Sequence, residues 1–406
     1  MKKINVGNIE IGEREKKAVL KVLDSGRISE GVKTREFEKK WADYIGSKYC
    51  VATSSGTAAL ITVLTALKYL HGLEGRPKVI TSPLTYISDA NALTLTGFKP
   101  VFVDVDPVTF CITPENIKKL LSKAKDKSKY SMILAVDLMG YPARLDEIKK
   151  IAKEYNLLVV DDAAEAHGSV YKGKKCGSSA DAGVFSFYIA HNLSAGEMGA
   201  VTTDDYKLYH LCKKVKTNGR YCKCDVCLRH QEKCPAMQDY SQDGDLDPRF
   251  LHDIVGYNFK VTEFQPAIAC VQIMNIDKII RKRQDNLKFL NRGLKKLSGV
   301  LQLPLFNKDV SYLAYPIVIK RPNIISRREL RIKLEKNGIE TRPIFGCIPT
   351  QQPAYCHLKE EYKNILPNAD YIGANGLYIG CHQYLKRGDL DYIISVFNKI
   401  IKEHNG

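Results

Sequence analysis

No apolar run in this sequence approaches the ~20 residues that a membrane span requires, so a membrane-embedded chain is not expected. The lysines of the opening stretch MKKINVGNIEIGERE have no apolar segment behind them. No secretory leader is therefore expected, and the cytoplasm is the compartment read from the sequence. Internal repeats and low-complexity tracts are missing too, which argues against solenoid and linker-like architectures. Acidic residues are in deficit, 45 against 62 lysines and arginines, for a formal charge of +17. The excess is dispersed rather than striped, so it reads as a lysine-rich solvated surface, and nucleic acid is not expected as a partner. There is neither a Walker loop nor a G-x-G-x-x-G, and the two commonest phosphate-loop signatures are thereby absent.

What is present is an ordinary globular composition, 44% hydrophobic and 26% charged. At 406 residues the chain exceeds the length at which a single core stops growing, so two packed regions are expected. The reading is a large region over 1–275, with a cysteine-rich insertion at 217–255, and a smaller α+β region over 276–406. Residues 12–26 (GEREKKAVLKVLDSG) carry apolar positions at helical spacing and stop at glycine. From 49 onward short apolar runs alternate with amphipathic stretches. YCVAT, KVIT, PVFVDV, SMILAV, NLLVVDD, AGVFSF and GAVTT read as strands, and TAALITVLTALKYL, ENIKKLLSKA and RLDEIKKIAKEY as helices. That alternation predicts an α/β fold with a mostly parallel sheet covered on both faces. A helical stretch follows at 262–298, and a later helix is opened by the capping box Ser326-x-x-Glu329 and closed at Gly338.

Three segments carry chemistry. SSGTAAL (54–60) joins a strand to a helix through small residues, which lets backbone N–H groups and the positive helix end approach a phosphate. LLVVDDAAEAHGS (157–169) puts acids at the C-terminal end of a strand, where open α/β sheets bind ligands. A carboxylate there can hold a pyridinium nitrogen protonated, as pyridoxal phosphate sites require. Cys222, Cys224, Cys227 and Cys234 follow C-x-C-x2-C-x6-C; with no export signal they suggest a metal site before disulfides. Thiolates are soft ligands that suit zinc and iron–sulfur clusters alike.

Taken together, SGTAAL, PLTYISDANAL, VVDDAAEAHGS, FSFYIAHNLSAGEMGA, GYNFKVTEFQPA and IETRPIF resemble the DegT/DnrJ/EryC1/StrS sugar aminotransferase family. That family has the aspartate-aminotransferase-like fold, and the motifs run in family order from residue 10 to about 395. The resemblance implies a phosphate held by Gly56, Thr57 and Ser186, and a pyridine ring stacked on Tyr86. It implies Asp162 on the ring nitrogen, Glu165 near the 3′-oxygen, and Asn258 reaching the phosphate of a neighbouring subunit in a homodimer.

Family members bond the cofactor covalently through a lysine in the run after the Ser-Phe pair; here that position is His191. An imidazole has no primary amine, so the cofactor is expected to bind non-covalently, as pyridoxamine phosphate. Histidine offers instead a base suited to proton transfer near neutrality. SFYIAH resembles the form found in the lysine-to-histidine nucleotide-sugar 3-dehydratases of the family, acting on GDP- or CDP-linked 4-keto-6-deoxy sugars. The CDP-sugar branch also carries a 2Fe–2S cluster and has a comparable GRxCxC start at the cysteine segment. That branch takes one ligand from the strand-end motif, where this chain has Ala164, so four local cysteine ligands are implied here. In IETRPIFGCIPTQQPAY (339–355), Arg342 is kept as a substrate contact, while Gln351 stands where the family has arginine.

The expectation is a pyridoxamine phosphate-dependent 3-dehydratase of a nucleotide-diphosphate 4-keto-6-deoxy sugar. His191 is its base, and an iron–sulfur cluster takes electrons from a reductase. Two alternatives stand beside it: a glutamate-coupled 3-dehydratase with zinc on the four cysteines, and an aminotransferase-fold protein without catalysis.

Overall fold

The computed structural model describes residues 3–222, 224 and 250–405. Within them the strand–helix alternation closes into a seven-stranded sheet with helices on both faces. Its strands are β1 (Tyr49–Thr53), β2 (Lys78–Thr81), β3 (Lys99–Phe102), β4 (Tyr130–Val136) and β5 (Leu158–Asp162). After the short hairpin β6–β7 (Val170–Tyr171 and Lys174–Lys175) come β8 (Ala182–Ser186) and β9 (Gly199–Thr203). The order is β1-β9-β8-β5-β4-β2-β3, and only β9 runs antiparallel to its neighbours. Every residue of β4 is buried, as a central strand between two helix layers must be.

The covering helices are α1 (Glu13–Asp24), α2 (Val32–Ile45), α3 (Gly56–His71), α4 (Ser88–Leu95), α5 (Pro114–Lys123), α6 (Leu145–Glu154) and α7 (Tyr206–Val215). Sequence sets their ends. The Ser55 hydroxyl accepts from the Ala58 amide at 3.1 Å to open α3, and Gly72, at φ 59°, closes it. The expected strand PVFVDV stops at Phe102 because Asp104 turns outward. Its carboxylate accepts the Asn368 and Ala369 amides at 3.1 and 2.9 Å, at the start of a helix near the C-terminus.

The predicted helical stretch 262–298 is two helices, α8 (Phe264–Ile273) and α9 (Ile276–Leu294). Beyond them lies an antiparallel sheet in the order β10-β11-β13-β12. Its strands are β10 (Leu301–Gln302), β11 (Tyr315–Ile319), β12 (Thr341–Pro343) and β13 (Gly376–Ile379). Helices α10 (Arg327–Lys336), α11 (Ile348–Gln351), α12 (Pro367–Asn375) and α13 (Arg387–Asn405) accompany it. The capping box at Ser326 forms as expected, with Glu329 Oε2 accepting the Ser326 amide at 2.9 Å. Ile4 pairs with Ile339, so the beginning of the chain joins this second layer.

The one tryptophan anchors the core beneath the sheet's active edge. Trp41 is fully buried, packed edge-on to Phe185 at 5.1 Å, Phe187 at 4.9 Å and His167 at 5.2 Å. No helix among the described residues is long and apolar enough to cross a membrane.

Candidate active site

The parallel strands all end on one edge, and there a cavity of ≈ 530 Å³ opens between the sheet and the second layer. Its lining includes Gly56, Thr57, Tyr86, Asp162, Glu165, Ser186, His191 and Arg342. Eight of the residues singled out from sequence, drawn from five separated segments, therefore converge on one space.

One wall is a phosphate-sized cradle at the start of α3. The amides of its first turn point out of the helix end with no partner inside the helix. Gly56 is required there: a Cβ on it would sit 2.6 Å from the Ser186 Cβ. Gly199 lets the same corner close, since a Cβ would meet the Ser55 carbonyl oxygen at 2.1 Å. The residues present thus fit an anionic group at the mouth of α3.

Asp162 forms the floor. It is nearly buried, and its Oδ1 accepts the Ala164 amide at 3.0 Å. Burial raises its proton affinity, opposed by that amide and by a hydrogen bond from Asp89. Glu165 accepts the Met139 amide at 2.7 Å, and burial pushes its carboxyl up to about 8. Tyr86 is 61% exposed, its ring edge-on to Phe345 at 6.0 Å and available as a lid over a flat ligand. Arg342 is half-buried and paired with Glu340 at 3.3 Å.

His191 is half-buried on the cavity wall. Its Nδ1 lies 3.2 Å from the Tyr188 carbonyl oxygen. A carbonyl only accepts, so Nδ1 carries the proton and Nε2 keeps the lone pair for the cavity. Burial pushes the imidazole down to about 4 against the pull of that carbonyl, and the Arg283 guanidinium adds to the fall. The ring stacks on His167 with centroids 5.8 Å apart and planes at 24°. His167 is fully buried and, by desolvation, also held neutral. Among the described residues lining the cavity there is no lysine.

Two expected site residues lie outside this lining. Gln351 caps its own turn, accepting the Cys347 amide at 3.0 Å and donating to the Asp370 carbonyl at 2.9 Å. Asn258 is exposed, and its backbone pairs with Thr217 in an isolated antiparallel bridge at the base of the cysteine segment. Cys222 is half-buried and Cys224 exposed, whereas Cys227 and Cys234 lie outside the described residues. Among the described residues no cluster of three or more His, Cys, Asp or Glu side chains could hold a metal.

Sequence reasoning missed Asp89, Tyr188, Glu197 and Tyr378. Of these, Asp89 packs against Asp162 and the other three line the cavity. Asp89 had a signal, standing one helical turn after Thr85 in PLTYISDANAL.

The chain matches the DegT/DnrJ/EryC1/StrS aminotransferase family over residues 9–398. It is 30% identical over 396 residues to the lipopolysaccharide biosynthesis protein RfbH of Salmonella typhimurium, covering 96% of this chain and 90% of that one. To GDP-perosamine synthase of Escherichia coli O157:H7 it is 31% identical, over 99% of this chain and 100% of the relative. The solved structure of E. coli GDP-4-keto-6-deoxy-D-mannose-3-dehydratase with bound hydrated PLP superposes with a TM-score of 0.84 at 26% identity. That superposition covers 98% of this chain and 99% of the other. A two-layer fold, a glycine-bounded anion cradle and a buried strand-end aspartate thus occur together in one chain, and it belongs to the DegT/DnrJ/EryC1/StrS aminotransferase family.

Proposed function

We propose that this protein is a pyridoxamine phosphate-dependent 3-dehydratase of a nucleotide-linked 4-keto-6-deoxy sugar. The observation that carries the reading is His191, on the cavity wall at the position where the family has its cofactor-binding lysine, with no lysine among the described lining residues. When bound, pyridoxamine phosphate supplies an amine for the C4 ketone and a ring that accepts electrons from its C4′ carbon. Gly56, Thr57 and Ser186 hold its phosphate, Asp162 keeps its ring nitrogen protonated, and Tyr86 covers the ring. Arg342 is the cation available to the sugar nucleotide. Nε2 of His191 takes the C4′ proton. Burial then makes the imidazolium a strong acid, ready to give that proton to the departing 3-oxygen on the same face.

The second half of the reading is reductive: Cys222, Cys224, Cys227 and Cys234 bind an iron–sulfur cluster that passes two electrons from a separate reductase. Backbone pairing seats the base of the cysteine segment near the cavity, as a cluster serving that site requires. The segment's ends pair as a ladder, with the Tyr221 amide on Leu251 and the Asn218 amide on Tyr257. Phe259 then accepts the Ser54 amide at 2.9 Å, beside the phosphate cradle. A homodimer completes the site, with Asn258 contributed across the interface; Leu20, Leu23, Ile28 and Val32 offer exposed apolar surface for it.

Anaerobic purification with iron, sulfide and zinc analysis, followed by product analysis on GDP-, CDP- and dTDP-linked 4-keto-6-deoxy sugars, tests the reading. Iron with sulfide, and a 3-deoxy product formed only with reductant, is the expected result. Zinc with a glutamate-dependent 3-deoxy product leaves the dehydratase and removes the cluster. Similarity to GDP-perosamine synthase favours a second reading, a sugar aminotransferase. A 4-amino sugar product, with borohydride trapping of the cofactor on a lysine, would establish it instead.

A further inference from the structure

Asp89 lies at the second position of α4, fully buried, against the inner side of Asp162. Its Oδ2 accepts the Thr85 hydroxyl at 2.5 Å. Its Oδ1 is enclosed and has no hydrogen-bond partner. An acceptor oxygen walled off from water without a donor is costly, and native proteins resolve such atoms. As two bare carboxylates, Asp89 and Asp162 could only repel. A proton between them turns repulsion into an O–H···O⁻ bond.

Three observations say which oxygen carries that proton. Asp162 opens on the cavity and has the Ala164 amide to stabilise its charge. Asp89 has neither solvent nor an amide, only one hydroxyl. Glu165, a third carboxyl nearby, raises the proton affinity of Asp89 and is not among the groups acting on that of Asp162. Burial and Asp162 hold Asp89 well above the carboxylate range, while the bond from Asp89 lowers Asp162.

We propose that Asp89 is a positioning residue: a neutral carboxylic acid that donates to Asp162 and so keeps Asp162 the ionised member of the pair. Thr85 aims it, Asp89 protonates the shared bond, and Asp162 presents its remaining lone pairs to the cavity. One negative charge then meets one pyridinium, rather than two or none. This part rests on Asp162 being the partner of the pyridine nitrogen; the state of the empty pair does not.

The test has two arms. In cofactor-free protein carrying 13C-labelled aspartate, the infrared difference between wild type and Asp89→Asn at neutral pH should show loss of a protonated-acid C=O stretch. Loss of a carboxylate band instead would overturn the proposal. Pyridoxamine phosphate affinity is the second arm. Asp89→Asn keeps a donor toward Asp162 and should bind as wild type does, whereas Asp89→Ala should bind at least about 10-fold more weakly. Equal binding by the Asn and Ala variants would refute the donor role. Asp162→Asn separates the two ideas: undiminished affinity there refutes the pyridine assignment, while the infrared arm still decides the proton on Asp89.

Discussion

Replacing His191 by asparagine removes one titrating group from the cavity wall, and the resulting pH dependence of stability can be worked out beforehand. The native imidazole is held down to about 4 from the usual 6.5. The native state therefore binds this proton less readily than the unfolded chain. His191 contributes fully above pH 6.5, and its contribution is lost as pH falls from 6.5 toward 4. At about 1.4 kcal/mol per pH unit the ceiling is about 3.4 kcal/mol, and partial solvent access reduces it to about 1–2 kcal/mol. The assay is denaturant unfolding of the cofactor-free protein at about pH 7.5 and about pH 4.5. His382, also held below its usual range, is common to both proteins and cancels, whereas His167 loses the part of its depression that His191 causes, which changes the difference in the same direction. Wild type should lose about 1–2 kcal/mol more than His191→Asn on acidification. An identical loss in both would mean that the imidazole titrates as in water, and the built-in neutral base would be refuted.

Three further outcomes follow from the geometry. His191→Lys restores a primary amine at the cavity wall and should give a borohydride-trappable cofactor adduct, with 3-dehydration falling by ~10²-fold or more. Gly56→Ala drives a methyl to within 2.6 Å of Ser186, so pyridoxamine phosphate affinity should drop at least ~10-fold while the circular dichroism spectrum stays native. Ser326→Ala breaks the capping box of α10 far from the cavity, and should cost about 1 kcal/mol of unfolding free energy with turnover unchanged.

The sheet was legible because its strands are apolar runs of the right length between amphipathic helices, and period and composition agree there. The exceptions were tertiary. The Asp104 carboxylate ends β3 early in order to cap α12, a helix more than 260 residues later. The cradle was legible for a similar local reason, since Ser55, Gly56 and Thr57 are adjacent in sequence. Asp89 was not: an aspartate in the first turn of a helix has an ordinary role as a capping charge, and only the tertiary fold makes it a neighbour of Asp162 at the end of β5. Gln351 illustrates the converse. Its motif position suggested a substrate contact, but its amide is taken up by Cys347 and Asp370 in its own turn.

Similarity spread over the whole chain does not rank transamination against dehydration, because both reactions use the same sheet, the same cradle and the same carboxylate under the ring. The discrimination falls on the surroundings of residue 191. The Tyr188 carbonyl receives both the His191 amide, at 2.9 Å, and its Nδ1, at 3.2 Å. Beneath the ring lies the near-parallel face of His167, itself wedged against Trp41. A flexible ammonium would find no counter-charge in that stack and would lie in the field of the buried Arg283 guanidinium, which already disfavours positive charge on the neighbouring rings. A flat, neutral heterocycle fits each of these constraints. These surroundings are what the proposed role of His191 as a neutral base requires, and they support that reading over a drifted lysine.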